Sequence, residues 1–251
     1  MNINRWILAH FSPTGGTKKV ADAIAKGLGT EVVDLDLSRE TAEFSLMTED
    51  ALMAVLPVYA GRVPSIALER LSAIKGEGHK AVAVAVYGNR EFDDGLLETK
   101  DALEAQGFTV IAAASFIAEH SIVRSVAAGR PDEEDEKIAR QFAADIMAKQ
   151  EGSAPVQVPG NRPYVEPHPS AYHPAAGDAC VACGVCAANC PVGAIPFGDP
   201  GSTDNERCIN CLRCVQICPM QCRALPMPFL NWITNMLAEK AAGYKKPAIF
   251  L

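Results

Sequence analysis

The chain reads CVACGVCAANCP at residues 180–191 and, 28 residues later, CINCLRCVQICP at residues 208–219. Eight of its nine cysteines thus stand in two copies of Cys-x2-Cys-x2-Cys-x3-Cys-Pro. Three thiolates within seven residues surround one small volume and suit three corners of a cubane. The fourth, before proline, is directed away and ligates the other cluster. This assigns Cys180, Cys183, Cys186 and Cys218 to one [4Fe-4S] cluster, and Cys208, Cys211, Cys214 and Cys190 to a second. Zinc is a poorer fit, because a third cysteine three residues on would crowd a tetrahedral site. Disulfides need an oxidising compartment, which nothing in the chain suggests. With the 28-residue offset, Cys222 falls where Ala194 sits in the first copy, and a small buried side chain is expected there. A ninth ligand or a redox-active thiol is the alternative.

About fifty residues around these cysteines resemble the bacterial-type two-cluster ferredoxins. The other two hundred have a different character. Of the 251 residues 49% are hydrophobic, enough for a sizeable core and against wholesale disorder. No apolar run approaches the roughly 18 residues that span a bilayer. The opening MNINRWILAHFSPTGG shows neither a charged leader nor a cleavage site and reads as a first strand entering a loop. A cytoplasmic protein without membrane attachment is therefore expected. Residues 1–150 hold 23 of the 30 acidic side chains and 16 of the 23 basic ones, so the whole net charge of −7 lies there. Such a surface disfavours nucleic acid and suits basic protein patches or plain solvation.

Five apolar runs alternate with amphipathic stretches over residues 1–150. RWILAHF, EVVDLDL, ALMAVLPVY, KAVAVAVYG and FTVIAAASF read as strands, the third and fourth as strands buried on both faces. TKKVADAIAKGLG, PSIALERLSAI, DDGLLETKDALEAQG and PDEEDEKIARQFAADIMAK read as helices, the last opening with Pro131 and an acidic first turn. This alternation predicts an α/β fold, a doubly wound five-stranded parallel sheet of flavodoxin-like order 2-1-3-4-5. Residues 151–175 form a proline-rich linker, possible to lay over the first domain. Residues 176–228 form a small α+β two-cluster domain, and 229–251 a helix and an apolar tail that packs back onto the protein.

Three loops follow strands at their C-terminal ends, where open parallel sheets bind ligands. FSPTGGTKKV offers hydroxyls, glycines and a helix N-terminus to a phosphate, but is neither a P-loop nor a dinucleotide fingerprint. PVYAGRVP and VYGNREFDDG each offer an aromatic to flank a flat ring. With FIAEHS after the fifth strand, these stretches resemble the flavodoxin-type module fused to ferredoxin in anaerobic bacteria and archaea, and the likeness covers nearly the whole chain. The resemblance implies FMN, with its phosphate at Ser12, Thr14, Gly15, Gly16 and Thr17. The isoalloxazine falls to Tyr59, Ala60, Gly61 and Arg62, and to Tyr87, Gly88, Asn89, Arg90, Phe92 and Asp93. Gly16 replaces a common asparagine, and GNREFDD replaces the usual Gly-Asp-x-x-Tyr, which leaves open whether Tyr87 or Phe92 stacks. An empty flavodoxin-like domain is the competing reading.

Within that frame, Arg62 offers positive charge to the flavin N1/C2 edge or a surface salt bridge, and the Ala60–Gly61 peptide can turn its carbonyl toward N5. His120 and Glu119 are candidate proton donors, a buried structural histidine being the alternative. FMN beside two [4Fe-4S] clusters predicts an electron carrier that converts between one- and two-electron steps and serves an unidentified redox partner protein. A flavoenzyme reducing a small organic substrate is the rival; it would need an acid near N5, for which Tyr87, Arg90 and His120 are the candidates. A redox-sensing module is a third class. No nicotinamide motif is present, and a homodimer is possible.

Overall fold

The computed structural model describes residues 3–39, 44–149, 155–166 and 170–251. The chain runs β1 (Arg5–His10), α1 (Gly16–Leu28), β2 (Glu31–Asp36), β3 (Asp50–Pro57), α2 (Ser65–Leu71), β4 (Lys80–Tyr87), α3 (Gly95–Ala105), β5 (Thr109–Ile117) and α4 (Glu133–Ala148). It continues as β6 (Ala175–Ala176), α5 (Val185–Ala188), α6 (Arg213–Gln216), β7 (Arg223–Ala224), α7 (Met227–Lys240) and β8 (Ala248–Phe250). All nine elements read from the first 150 residues are present. One detail differs: α4 begins at Glu133, after Pro131, and Asp132 caps it, its carboxylate accepting from the amides of Glu134 and Asp135 in a capping box.

Strands β1 to β5 pair in parallel in the order β2-β1-β3-β4-β5, with Trp6 opposite Val32 and Ala51 at the centre. Alternation along these strands feeds two cores. Trp6, Leu8, Val20, Ile24, Phe116 and Phe142 pack beneath α1 and α4. Ile7, Leu52, Leu56, Leu71, Leu96 and Leu103 pack beneath α2 and α3. Strands β3 and β4 are buried along almost their whole length, as a sheet covered on both faces requires.

The sheet has a sixth strand that the five-strand expectation lacks. The tail runs back to lay β8 antiparallel on the outer edge of β5, Ala114 opposite Ile249. An exposed edge presents unpaired backbone groups, and this short strand covers it. Residues 155–166 of the proline-rich stretch run over α3. Val156 and Val158 enter the second core. Asp94 accepts from the amides of Asn161 and Val165, and Asp101 pairs with Arg162. The cysteine region folds around the two-stranded β6–β7 sheet, whose register is Ala176 opposite Arg223. No helix among the described residues is long and apolar enough to cross a membrane.

Candidate functional site

Loops after β1, β3 and β4 gather at one end of the sheet. In the first, Gly15 has φ +88° and turns the chain into α1. The Ser12 hydroxyl accepts from the Lys18 amide at 2.8 Å, and the Ser12 amide donates to Ser38 Oγ at 2.7 Å. No side chain caps Gly15, and the first turn of α1 carries Lys18 and Lys19 but no acid. The contrast with α4 is instructive: four acids and a capping box occupy its first turn. Free amides and a positive dipole end at α1 suit an anion such as the FMN phosphate. Thr17 is buried, and Ala118 approaches so closely that a Cβ on Gly16 would lie 3.2 Å from its own Cβ. A larger residue at 16 would press on the loop after β5, a physical reason for glycine where flavodoxins often have asparagine.

The second loop is a two-residue hairpin. Tyr59 and Arg62 exchange both backbone hydrogen bonds, at 2.8 and 3.1 Å, around Ala60 (φ +50°) and Gly61 (φ +89°). Positive φ at both central residues is the type I′ geometry, which leaves this peptide at the tip. The Gly61 carbonyl accepts from the Asp94 amide at 3.1 Å, and a Cβ on Gly61 would lie 2.8 Å from Asp93 Oδ2. The second and third loops are thereby locked together.

Several side chains of the second and third loops already have protein partners. Arg62 grips Glu98 through Nε (3.0 Å) and Nη2 (2.6 Å), donates to the Val165 carbonyl at 3.0 Å and lies over the Tyr164 ring. Its charge is neutralised while clamping the proline-rich segment, so the salt-bridge alternative describes it. Asn89, at φ +64° and buried, donates from Nδ2 to the Ala241 and Gly243 carbonyls beyond α7. Arg90 pairs with Asp93. Lys245 reaches the Arg90 carbonyl and Glu91. The C-terminal segment therefore straps the third loop, a contact with no signal in the loop's own sequence.

Tyr87 and Phe92 meet edge to face, centroids 5.7 Å apart. Tyr87 is buried, which pushes its phenol up to about 12, and Phe92 is the more accessible ring. His120 packs against Gly88, whose Cβ would lie 2.4 Å from the imidazole Cδ2. Its Nδ1 faces the Ile122 and Val123 amides at 3.2 and 3.1 Å and so acts as acceptor. Burial, and then the charge of Arg90, lower it from 6.5 to about 4, a neutral structural ring. Glu119 is occupied by Arg124 and the Gly129 amide.

The eight repeat cysteines lie in one small region, Cys190 and Cys214 packing against Cys186. Cys180, Cys183, Cys186 and Cys218 line one cavity together with Cys222 and Arg223. Cys190, Cys208, Cys211 and Cys214 lie close enough to act on one another electrostatically. Burial pushes the Cys211 thiol up to about 12. Among the described residues no three His, Cys, Asp or Glu side chains converge to hold a single metal ion. The donor chemistry, four thiols to each set with no imidazole or carboxylate, fits iron–sulfur clusters. Cys222 corrects an expectation: it is only half-buried, with Sγ 3.6 Å from that of Cys218.

The second set sits against the loop after β1 and against α2. Arg213 donates to the Pro13 carbonyl at 3.2 Å, Gln216 to the Thr14 carbonyl at 3.3 Å, and Arg70 to the Pro191 carbonyl at 2.7 Å. Ile209 packs into the core beneath α2 and α3. Burial, and then the nearby Cys211, push the Tyr59 phenol well above its usual value. Around the first set, by contrast, Val181 and Met220 stand exposed.

Residues 179–222 match the family model described as a 4Fe-4S dicluster domain. The chain joins a flavodoxin-like fold to that dicluster domain. Its first part is similar to a flavodoxin from the domain Archaea, at 17% identity over 57% of this chain and 96% of that one, with a TM-score of 0.42. Flavodoxin 1 from Bacillus cereus is similar at 17% identity, over 59% and 99% of the two chains, with a TM-score of 0.45. The strand order β2-β1-β3-β4-β5 is what carries the fold assignment. No curated protein matches the chain. An iron–sulfur domain beside a flavodoxin-like one supports an electron-transfer role.

Proposed function

We propose that the chain carries electrons between FMN, held by the loops after β1, β3 and β4, and two [4Fe-4S] clusters held by the eight cysteines, and passes them to a partner protein. The observation that supports this most is the seating of the Cys208–Gln216 segment on the Pro13 and Thr14 carbonyls and beside Tyr59. Bound FMN supplies one- and two-electron chemistry, and each cluster supplies one-electron chemistry.

The chain's own residues then have distinct tasks. Ser12, Thr14, Gly15, Gly16 and Thr17 bind the phosphate with amides and hydroxyls at the α1 terminus. Ala60 and Gly61 offer a small peptide to the ring edge, and Phe92 the more accessible aromatic. Cys190, Cys208, Cys211 and Cys214 would hold a cluster on the side of the loops after β1 and β3, and Cys180, Cys183, Cys186 and Cys218 one on the side of exposed Val181 and Met220. With the cofactors bound, that order would let electrons pass by way of the second site to the first, the side offered to the partner.

Carrier is favoured over flavoenzyme by the state of the candidate acids. His120 holds no proton at neutral pH on the nitrogen facing the Ile122 and Val123 amides, and its ring packs on Gly88. Arg90 is paired with Asp93, and Tyr87 is buried. The test is anaerobic purification, FMN, iron and sulfide analysis, and a visible spectrum during stepwise reduction. Flavin bands bleaching alongside the broad cluster absorption are expected. Cluster absorption with no flavin, even after FMN is added, would overturn the reading.

A further inference from the structure

The two cysteine repeats share a 28-residue offset, which makes Arg223 the counterpart of Ile195. Ile195 is buried beside Cys186 and Ala187, with Cys190 and Cys214 at its edge. At the equivalent position of the second repeat the chain places a cation. Arg223 is 2% exposed. Its Nη1 donates to the Pro200 carbonyl at 2.6 Å and faces Cys186 Sγ at 3.8 Å. Nη2 donates to the carbonyls of Pro174 (2.9 Å) and Ser202 (3.3 Å) and to the Thr203 hydroxyl.

None of these acceptors is a carboxylate, and among the described residues the buried Nε has no partner at all. A guanidinium cannot shed its proton in a protein, so it stays charged where it is buried. An uncompensated buried charge is strongly unfavourable, and native folds pair such charges or place them against a bound ion. Among the described residues the anionic groups that its charge reaches are cluster thiols: Cys186 of the first set at 3.8 Å, and Cys208 and Cys214 of the second. An iron–sulfur cluster with four thiolates is net negative and becomes more so by one unit on taking up an electron. Net charge and hydrogen bonds to sulfur are two of the protein's levers on cluster potential.

We propose that Arg223 is the electrostatic tuning residue of the dicluster domain: its fixed charge, buried between the two thiol sets, compensates the clusters and raises their reduction potentials. The proposal rests on the two-cluster reading above. The electron entering a cluster comes from the flavin or the partner, and no proton need accompany it, because the compensating charge is already in place. The competing role is purely mechanical, a fork bracing the carbonyls of Pro174, Pro200 and Ser202.

Charge and fork are separated by comparing Arg223→Gln, which removes the charge, with Arg223→Lys, which keeps the charge and loses the fork. Iron and acid-labile sulfide per chain are measured first, then midpoint potentials by titration followed by electron paramagnetic resonance. The expected result is a shift to more negative potential in Arg223→Gln and near wild-type potentials in Arg223→Lys. If Arg223→Gln assembles no clusters while Arg223→Lys does, charge compensation is again supported. Unchanged potentials in cluster-loaded Arg223→Gln overturn the proposal, as does equal damage in both variants, which would show a brace. Absence of iron and sulfide from the wild-type chain would defeat the cluster reading itself, and the proposal with it.

Discussion

Gly61 carries two constraints that no other residue type meets together. Its φ is +89°, and a Cβ there would stand 2.8 Å from the Asp93 carboxylate. Gly61→Ala is expected to cost about 1–3 kcal/mol of stability from backbone strain alone, measured by urea unfolding, and to weaken FMN binding because the second and third loops move together. At Ser12 the hydroxyl already faces the α1 terminus, accepting from Lys18. Ser12→Ala should raise the FMN dissociation constant by roughly tenfold or more, the range of one hydrogen bond to a charged group. Fluorescence titration of flavin-stripped protein reads it. His120 supplies a pH dependence. Its folded value of about 4 lies below the ordinary 6.5, so on acidification the unfolded chain takes up the proton first. The stability it contributes is complete above about 6.5 and is lost as pH falls toward about 4. His120→Asn, which keeps an acceptor for the two amides, should flatten that limb by about one proton, seen in the pH dependence of the urea midpoint. An unchanged slope would refute the assignment of a neutral ring.

Among the elements, β8 and the segment before it tie the tail to the sheet. Three tail features act together: β8 on the β5 edge, the carbonyls of Ala241 and Gly243 on Asn89, and Lys245 on the third loop. Arg130 adds a hydrogen bond to the Lys245 carbonyl and lies over the Tyr244 ring. Removing residues 241–251 should therefore lower the melting temperature, expose the β5 edge to intermolecular pairing, and loosen flavin. Asn89→Ala alone should cost about 1–3 kcal/mol, since it leaves two carbonyls without their donor. Thermal unfolding and light scattering distinguish a local loss from edge-driven association.

For the whole molecule, the decisive contacts are those that seat the dicluster domain on the loop after β1 and on the core beneath α2 and α3. Arg213, Gln216 and Ile209 make them from the second cysteine repeat. Arg213→Ala with Gln216→Ala should leave FMN and iron content unchanged yet slow the exchange of electrons between flavin and clusters. Rapid-mixing spectroscopy after reduction of one cofactor reads this directly, and an unchanged rate would mean that the path does not run through this interface.

The five-strand parallel order was legible in the sequence because it rests on local pattern, and the cysteine spacing sets the expected ligand sets on the same kind of signal. Three thiols in seven residues can reach one volume only, and period-two apolar runs between amphipathic helices have one economical packing. The glycine turn that leads from β1 into α1, where a phosphate is expected, was legible for the same reason. What the tertiary structure alone decided involves partners far apart in the chain: Glu98 taking the charge of Arg62, Ala241 and Gly243 taking Asn89, β8 joining β5, and Arg223 reaching Cys186. A polar side chain declares that it will need a partner when buried, but not which one. That choice belongs to the packing of the whole chain.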